Sequence, residues 1–434
     1  MKRIVASVAL VAVGASGLQA AALPGLTTES GKPWTASATL RGFYDDNINT
    51  IPNNQPLPPG YSRSSTGFEI SPAVQAIFPW EQTTLNFGAV YSLKYYDNKP
   101  QGNTDNTDQT FEFNAALTHD FSERYKLTVK DSFVIGQEPD FLRAGNSYTT
   151  FQRISGDNMR NYGVIDFTAQ MTPEFGVDVG YANTWYNYAD DNPGVPGTPG
   201  FYPSNAALLN EVDNVVHLDG RYQIQPQTVG IIGYQFRDTL YTGDQYISGA
   251  PRPLKSDARN AMSQYMYAGL DHNFRPDLTG SIRGGARYTD YYNNPYNQNG
   301  WSPYAMLNLR YTYLPESYVM FGFSYDYSPT DQFDPNRVGQ LTLNAQAATL
   351  FASLNHRITP KLYGSIIAQY QNSTYYGGSI DGKADNYYLV GLNLQYRFTP
   401  NFSAEVGYNY DDDNSQVGNS YNRNRVYVGV TGSY

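Results

Sequence analysis

Apolar and polar residues alternate with a period of two along almost the whole chain, the pattern of strands with two unlike faces. From Ser317 to Tyr327 one parity is Val319, Phe321, Phe323, Tyr325 and Tyr327; the other holds Gly322, Ser324 and Asp326. Phe402 to Asp411 sets Phe402, Ala404, Val406, Tyr408 and Tyr410 against Ser403, Glu405, Gly407, Asn409 and Asp411. Thr84 to Tyr96 opposes Leu85, Phe87, Ala89, Tyr91, Leu93 and Tyr95 to Asn86, Gly88, Ser92 and Lys94. Leu278 to Tyr288 opposes Ile282 and Ala286 to Arg283 and Arg287.

The alternation is punctuated at regular intervals. Short connectors recur as Phe78-Pro79-Trp80-Glu81, Thr172-Pro173-Glu174-Phe175, Gln225-Pro226-Gln227-Thr228, Arg275-Pro276-Asp277-Leu278, Leu314-Pro315-Glu316-Ser317, Thr359-Pro360-Lys361-Leu362 and Thr399-Pro400-Asn401-Phe402. Ser122 stands in the one gap without proline. Proline presets the backbone for the first central position of a tight turn. Between these turns lie longer connections rich in Gly, Pro, Asn and Asp, such as Asn47 to Ser62 and Asp190 to Asn205. Eight short turns and nine long loops join eighteen strands, an even number that puts both chain ends on the short-turn side. Short turns on one side and long loops on the other mark a transmembrane antiparallel β-barrel. The predicted fold is therefore all-β: about eighteen strands, short periplasmic turns and long extracellular loops. A propeller or β-helix could repeat at a similar period, but its strands bury both faces, whereas here one face is charged at intervals.

In a closed membrane barrel the apolar parity faces lipid. The other parity is then the lumen lining: Arg41, Glu69, Lys94, Glu112, Arg160, Asp166, Asp178, Asp219, Arg221, Arg237, Arg283, Arg287, Arg310, Asp326, Arg397 and Glu405. These charges of mixed sign either pair across the wall or line an aqueous path, and an eighteen-strand barrel is too wide for side chains to fill. Strands rising to the long loops end in patches such as Tyr44-Asp45-Asp46-Asn47, Tyr95-Tyr96-Asp97-Asn98 and Tyr410-Asp411-Asp412-Asp413-Asn414. Such patches read as an aromatic girdle followed by solvated loops, or as an acidic rim for divalent cations.

Composition narrows the class further. Aromatic residues make up 15% of the 434 residues and charged residues only 16%, below the roughly 25% charge of a water-soluble protein. The formal charge is −10 and no basic cluster occurs, which argues against nucleic acid as a partner. There is no Cys, so disulfides, Cys-ligated zinc, iron–sulfur clusters and Cys catalysis are excluded. Lys2 and Arg3, the apolar run Ile4 to Leu18 and the small residues Ala20 to Ala22 predict a cleaved signal peptide over 1–22. Its loss leaves a charge of −12. A short periplasmic segment, 23–33, then precedes a barrel over 34–434, with too few residues for an N-terminal plug domain.

Catalytic constellations are weak. His119, His272 and His356 each sit two residues before Phe121, Phe274 and Ile358 on the outward parity, as girdle residues. His217 faces inward on the strand of Asp219, without a positioned Ser. Phosphate-loop, dinucleotide and zinc-protease spacings are absent. No enzymatic activity, metal or cofactor is expected.

The chain ends in Arg425-Val426-Tyr427-Val428-Gly429-Val430-Thr431-Gly432-Ser433-Tyr434. This resembles the C-terminal strand read by the barrel-assembly machinery, with Tyr434 as the terminal aromatic and Gly429 at the expected place; Gly432 departs from the hydrophobic residue usual there. The opening strand Leu40-Arg41-Gly42-Phe43-Tyr44-Asp45-Asp46-Asn47 and the repeated Thr-Pro-x-Phe/Leu turns resemble the putative β-barrel porin 2 family. That resemblance implies an outer-membrane barrel of undefined cargo, and an association of some relatives with exopolysaccharide production or export. The expected function is a porin-like channel for passive passage of small hydrophilic solutes in the bacterial outer membrane. Outer-membrane lipid, lipopolysaccharide and the barrel-assembly machinery are the expected partners. An accessory barrel for exopolysaccharide is the second reading, for which inward Tyr304, Tyr387 and Tyr427 could stack on sugar faces. An outer-membrane hydrolase is the third, and no Ser/His/acid set supports it.

Overall fold

The computed structural model describes residues 33–434 apart from 58–61, 99–105, 137–156, 190–194, 199–200, 250–252, 297, 329, 331–340 and 419. The predicted leader, 1–22, and the segment after it lie outside the described residues up to residue 32. Eighteen strands carry the rest: β1 (Trp34–Asp45), β2 (Ser65–Pro79), β3 (Thr83–Tyr96), β4 (Thr107–Asp120), β5 (Tyr125–Gly136), β6 (Asn158–Gln170), β7 (Phe175–Tyr188), β8 (Glu211–Gln225), β9 (Thr228–Tyr241), β10 (Ala261–Arg275), β11 (Leu278–Asp290), β12 (Asn299–Leu314), β13 (Ser317–Ser328), β14 (Asn344–Arg357), β15 (Leu362–Tyr376), β16 (Ala384–Thr399), β17 (Phe402–Ser415) and β18 (Tyr421–Ser433). Each pairs antiparallel with its sequence neighbours, and β1 pairs with β18, so the sheet closes with no free edge. The strand count and the eight short turns match the sequence reading.

The short turns show why proline suits them. A two-residue hairpin favours positive φ at its first central position, because that twist matches the strands. Proline forbids it. The hairpins β8–β9, β10–β11, β12–β13 and β16–β17 resolve the conflict with a register shift just before each Pro turn. A bulge adds local twist and lets the strands meet without a mirror-image turn. Only Glu316, among the residues of these turns, takes a left-handed φ, +61°.

The two faces are inverted relative to a water-soluble protein. On β9, Ile232 is 76% exposed while Arg237, on the other parity, is 5% exposed. Leu40, Val216, Leu218, Met266, Ile282, Val406 and Val428 likewise point outward and are exposed. Arg160, Arg283, Arg423, Asp219 and Tyr387 point inward and are buried. Inward glycines let bulky neighbours lie flat against the wall. A Cβ at Gly407 would overlap the Tyr427 ring, and one at Gly322 would overlap Phe351. Substantial apolar packing inside the barrel is concentrated at the long-loop end. There the helix α1 (Asn205–Leu209), capped by Ser204, contributes Ala207 and Leu208 to a cluster with Ile247, Ala258, Tyr291, Leu341 and Leu343.

Candidate functional site: the inner wall and its mouth

Strand registers place all sixteen residues expected in the lumen on a single face of the sheet. Arg41 registers with Glu69, and Glu69 with Lys94. Glu112 reaches Arg160 through Val134. Asp178 registers with Asp219, and Arg221 follows on the same parity. Asp166 on β6, Arg237 on β9, Arg283 and Arg287 on β11, Arg310 on β12, Asp326 on β13, Arg397 on β16 and Glu405 on β17 continue that face around the barrel.

Most of these charges are held by a partner on a nearby strand. Arg41 lies 3.1 Å from Glu69, also bonds Glu405, and stands 5.8 Å over the Tyr427 ring. Arg221 meets Asp178 at 3.1 Å, Arg283 meets Asp271 at 2.8 Å, and Arg287 meets Asp326 at 3.2 Å. Arg237 bonds both carboxylate oxygens of Asp213 side-on, through Nε and Nη2. Arg310 and Arg397 lie over Tyr318 and Tyr363, at 4.7 and 4.1 Å from the ring centres. Asp219 accepts from Tyr267 Oη at 2.6 Å, Glu112 from Asn114 at 2.6 Å, and Arg160 donates to Asn158 at 3.3 Å. Asp166 lies 3.7 Å from His217. Lys94 lines a concavity of the wall with Arg41, Glu69, Tyr96, Arg425 and Tyr427. Pairing offsets part of the desolvation cost of these inward charges, several of which, Arg160, Arg283 and Asp219 among them, are buried.

The sequence reading missed several wall charges, among them those nearest the long loops. Asp45 receives Arg423 at 2.8 and 3.0 Å and Arg425 at 3.0 Å. Asp213 and Asp271 also belong to the wall, as do Tyr265 and Tyr267, which pack with Tyr304. Extending the parity to the strand ends would have found them. Asp45 and Asp411, read as part of a solvated rim, are instead buried on the inner face. Among the described residues no group of three or more His, Asp or Glu could hold a metal ion.

Three connections at the long-loop end are held together. Arg259 is buried in the β9–β10 connection and donates to Leu208 O and Thr330 O, both at 3.2 Å. It thereby ties together the connections after β7, β9 and β13. The β7–β8 connection is described at 195–198 and 201–210, and its helix packs into that tie. The long β5–β6 connection, 137–157, lies outside the described residues apart from Asp157. Burial raises the Tyr291 and Tyr292 phenols in this region above their usual pKa, and the bond to Asp244 raises that of Lys255.

The three outward histidines have structural partners. His119 pairs with Thr83 at 2.7 Å and His272 with Thr228 at 2.8 Å, each edge-on to the aromatic ring two residues later. His356 bonds Tyr313 at 2.8 Å. All three sit on the outward parity at the short-turn end, as expected of girdle residues.

Comparison with known proteins returns a match over residues 339–434, β14 to the end, to the family described as Putative beta-barrel porin 2. No curated protein matches the chain. Among solved structures, the chain is similar to OccAB4 of Acinetobacter baumannii (12% identity, TM-score 0.43, covering 94% of this chain and all of that one). It is also similar to the outer membrane protein opdK of Pseudomonas aeruginosa (11%, TM-score 0.43, 92% and 99%). A BenF-like porin of Pseudomonas fluorescens Pf-5 gives 12%, TM-score 0.45, 92% and 99%.

Proposed function

We propose that this chain is an outer-membrane channel for passive passage of small hydrophilic solutes, with its short turns and both chain ends periplasmic. One observation carries the reading: a closed eighteen-strand barrel presents paired charge inward and bare apolar side chains outward. An outward apolar band is stable only in lipid, and only a closed sheet satisfies its backbone there. A wetted, charge-lined interior gives polar solutes a path with no energy coupling. The match of the last five strands to a porin family agrees with it. The leader over 1–22 and delivery by the barrel-assembly machinery are part of the same proposal.

The inward tyrosines do not favour the polysaccharide reading. Tyr265 and Tyr387 are fully buried, and Tyr304 and Tyr427 nearly so. Rings packed against the wall cannot offer a face to a passing sugar. Reconstitution in planar bilayers should give discrete ohmic steps, and liposomes should swell in small sugars. A folded barrel that does neither overturns the channel.

A further inference from the structure

Among the described strand residues the outward face carries carboxyl groups at Asp131, Asp238, Asp290 and Asp412, and no Lys or Arg. Three of the four stand within three residues of a long-loop strand end, where water and headgroups reach them. Asp131 does not. It lies six residues from Tyr125 and five from Gly136, mid-strand on β5. Its outward column runs Leu127, Val129, Asp131, Phe133, Ile135. The carboxyl lies across Gly163 of β6: a Cβ there would stand 3.4 Å from Oδ1. A single amide satisfies it, Asn161 Nδ2, at 3.1 Å from each oxygen. A carboxyl group has about four acceptor sites, so most of its capacity faces the apolar surroundings of the barrel. Lipid cannot answer it, and such groups in a membrane face protein or water by default.

We propose that the outward face of β5–β7 is the interface with a second copy of this chain. This rests on the outer-membrane reading, which makes the outward face a lipid face. Two copies in one membrane are related by an axis along the membrane normal, which preserves height and reverses left and right. Asp131 and Tyr181 are each six residues from the short-turn start of their strands, β5 and β7. An axis over β6, between them, sets Asp131 of each copy opposite Tyr181 of the other. Tyr181 is 40% exposed and its phenol donates outward along the sheet, to Asn214 Oδ1 at 2.8 Å. That proton can turn to the facing carboxyl group, making a stronger, charge-assisted bond. Gly163, outward on β6 between the two, lets the copies approach closely.

The chain contains no Cys, so one introduced thiol is unique. Ile165→Cys, outward on β6, should cross-link to a dimer in outer-membrane fractions with a short bis-maleimide. Val390→Cys, outward on β16 across the barrel, should not. Adding Asp131→Leu should reduce the Ile165→Cys dimer at least tenfold, and Tyr181→Phe should reduce it less, while heat-modifiable barrel persists. Light scattering of the purified protein in mild detergent should read two copies, and one for Asp131→Leu. Monomer throughout, a dimer indifferent to Asp131→Leu, or a cross-link only to a protein of other mass overturns the proposal and leaves the channel reading intact. Absence of the barrel from outer-membrane fractions instead removes the premise shared by both.

Discussion

The buried guanidinium of Arg423 meets the equally buried carboxylate of Asp45 across the β18–β1 seam. Removing one member of such a pair leaves a charge uncompensated, a cost of about 3–5 kcal/mol. Arg425 stays within 3.0 Å of Asp45, so the loss should fall at the low end of that range. Arg423→Leu is expected to lower barrel stability by roughly 3 kcal/mol, read as a fall in the denaturant midpoint in lipid or detergent. Asp45→Leu combined with Arg423→Leu should recover part of that loss. A single mutant as stable as wild type would show that the pair is dispensable.

At the scale of strands and turns, Glu316 holds a left-handed backbone at +61° beside Pro315, at a cost of roughly 1 kcal/mol for a residue with a Cβ. Its carboxylate offsets part of this through Arg357 at 3.4 Å and Tyr363 at 3.0 Å, on an exposed surface where such pairs contribute about 0.2–1 kcal/mol. Glu316→Gly should therefore be neutral to slightly stabilising, and Glu316→Ala destabilising, because alanine keeps the strain and loses the contacts. Thermal unfolding of both checks this; alanine ranking above glycine would refute it. The closing strand pair depends equally on its last residues. Tyr434 exchanges both backbone bonds with Ala36, at 2.8 and 3.1 Å, and its ring meets Trp34. Deleting Val430 to Tyr434 removes the short-turn end of the β1–β18 ladder. Heat-modifiable barrel in outer-membrane fractions should fall sharply, and undiminished assembly would remove this role from Tyr434.

For the whole molecule, the connections tied at the long-loop end are expected to limit the conductance of the proposed channel. Arg259→Ala frees the connections it ties at Leu208 and Thr330, and single-channel conductance in planar bilayers is expected to rise relative to wild type. An unchanged step would place the narrowest point elsewhere. Nine of the sixteen anticipated lumen charges are basic and seven acidic, but the long-loop end adds Asp45, Asp213 and Asp411 against Arg423 and Arg425. With Glu211, Asp385 and Asp413 counted there too, against Arg259, the entrance keeps a small acidic excess, which acts within a Debye length, about 8 Å at physiological salt. Reversal potentials should show a weak cation preference that fades as salt rises; anion preference would contradict this balance.

The two-residue period and the Pro turns determined the strand number, the alternation of short and long connections, and the face on which each of the sixteen charges lies. That information is local: parity is a property of consecutive residues, and a turn announces itself within four positions. Who pairs with whom was not local. Arg41 reaches Glu405, 364 residues away, only because the barrel closes. The inward arrangement of Leu208, Leu343 and Arg259 depends on loops whose composition gives no period to read. Asp131 breaks an apolar column by a single residue, and only the register set it over Gly163 and beside Asn161. Local sequence thus specified the strands and their faces; strand pairing and closure of the sheet decided which charges meet, how the long-loop connections are tied and what surrounds the outward carboxyl group of Asp131.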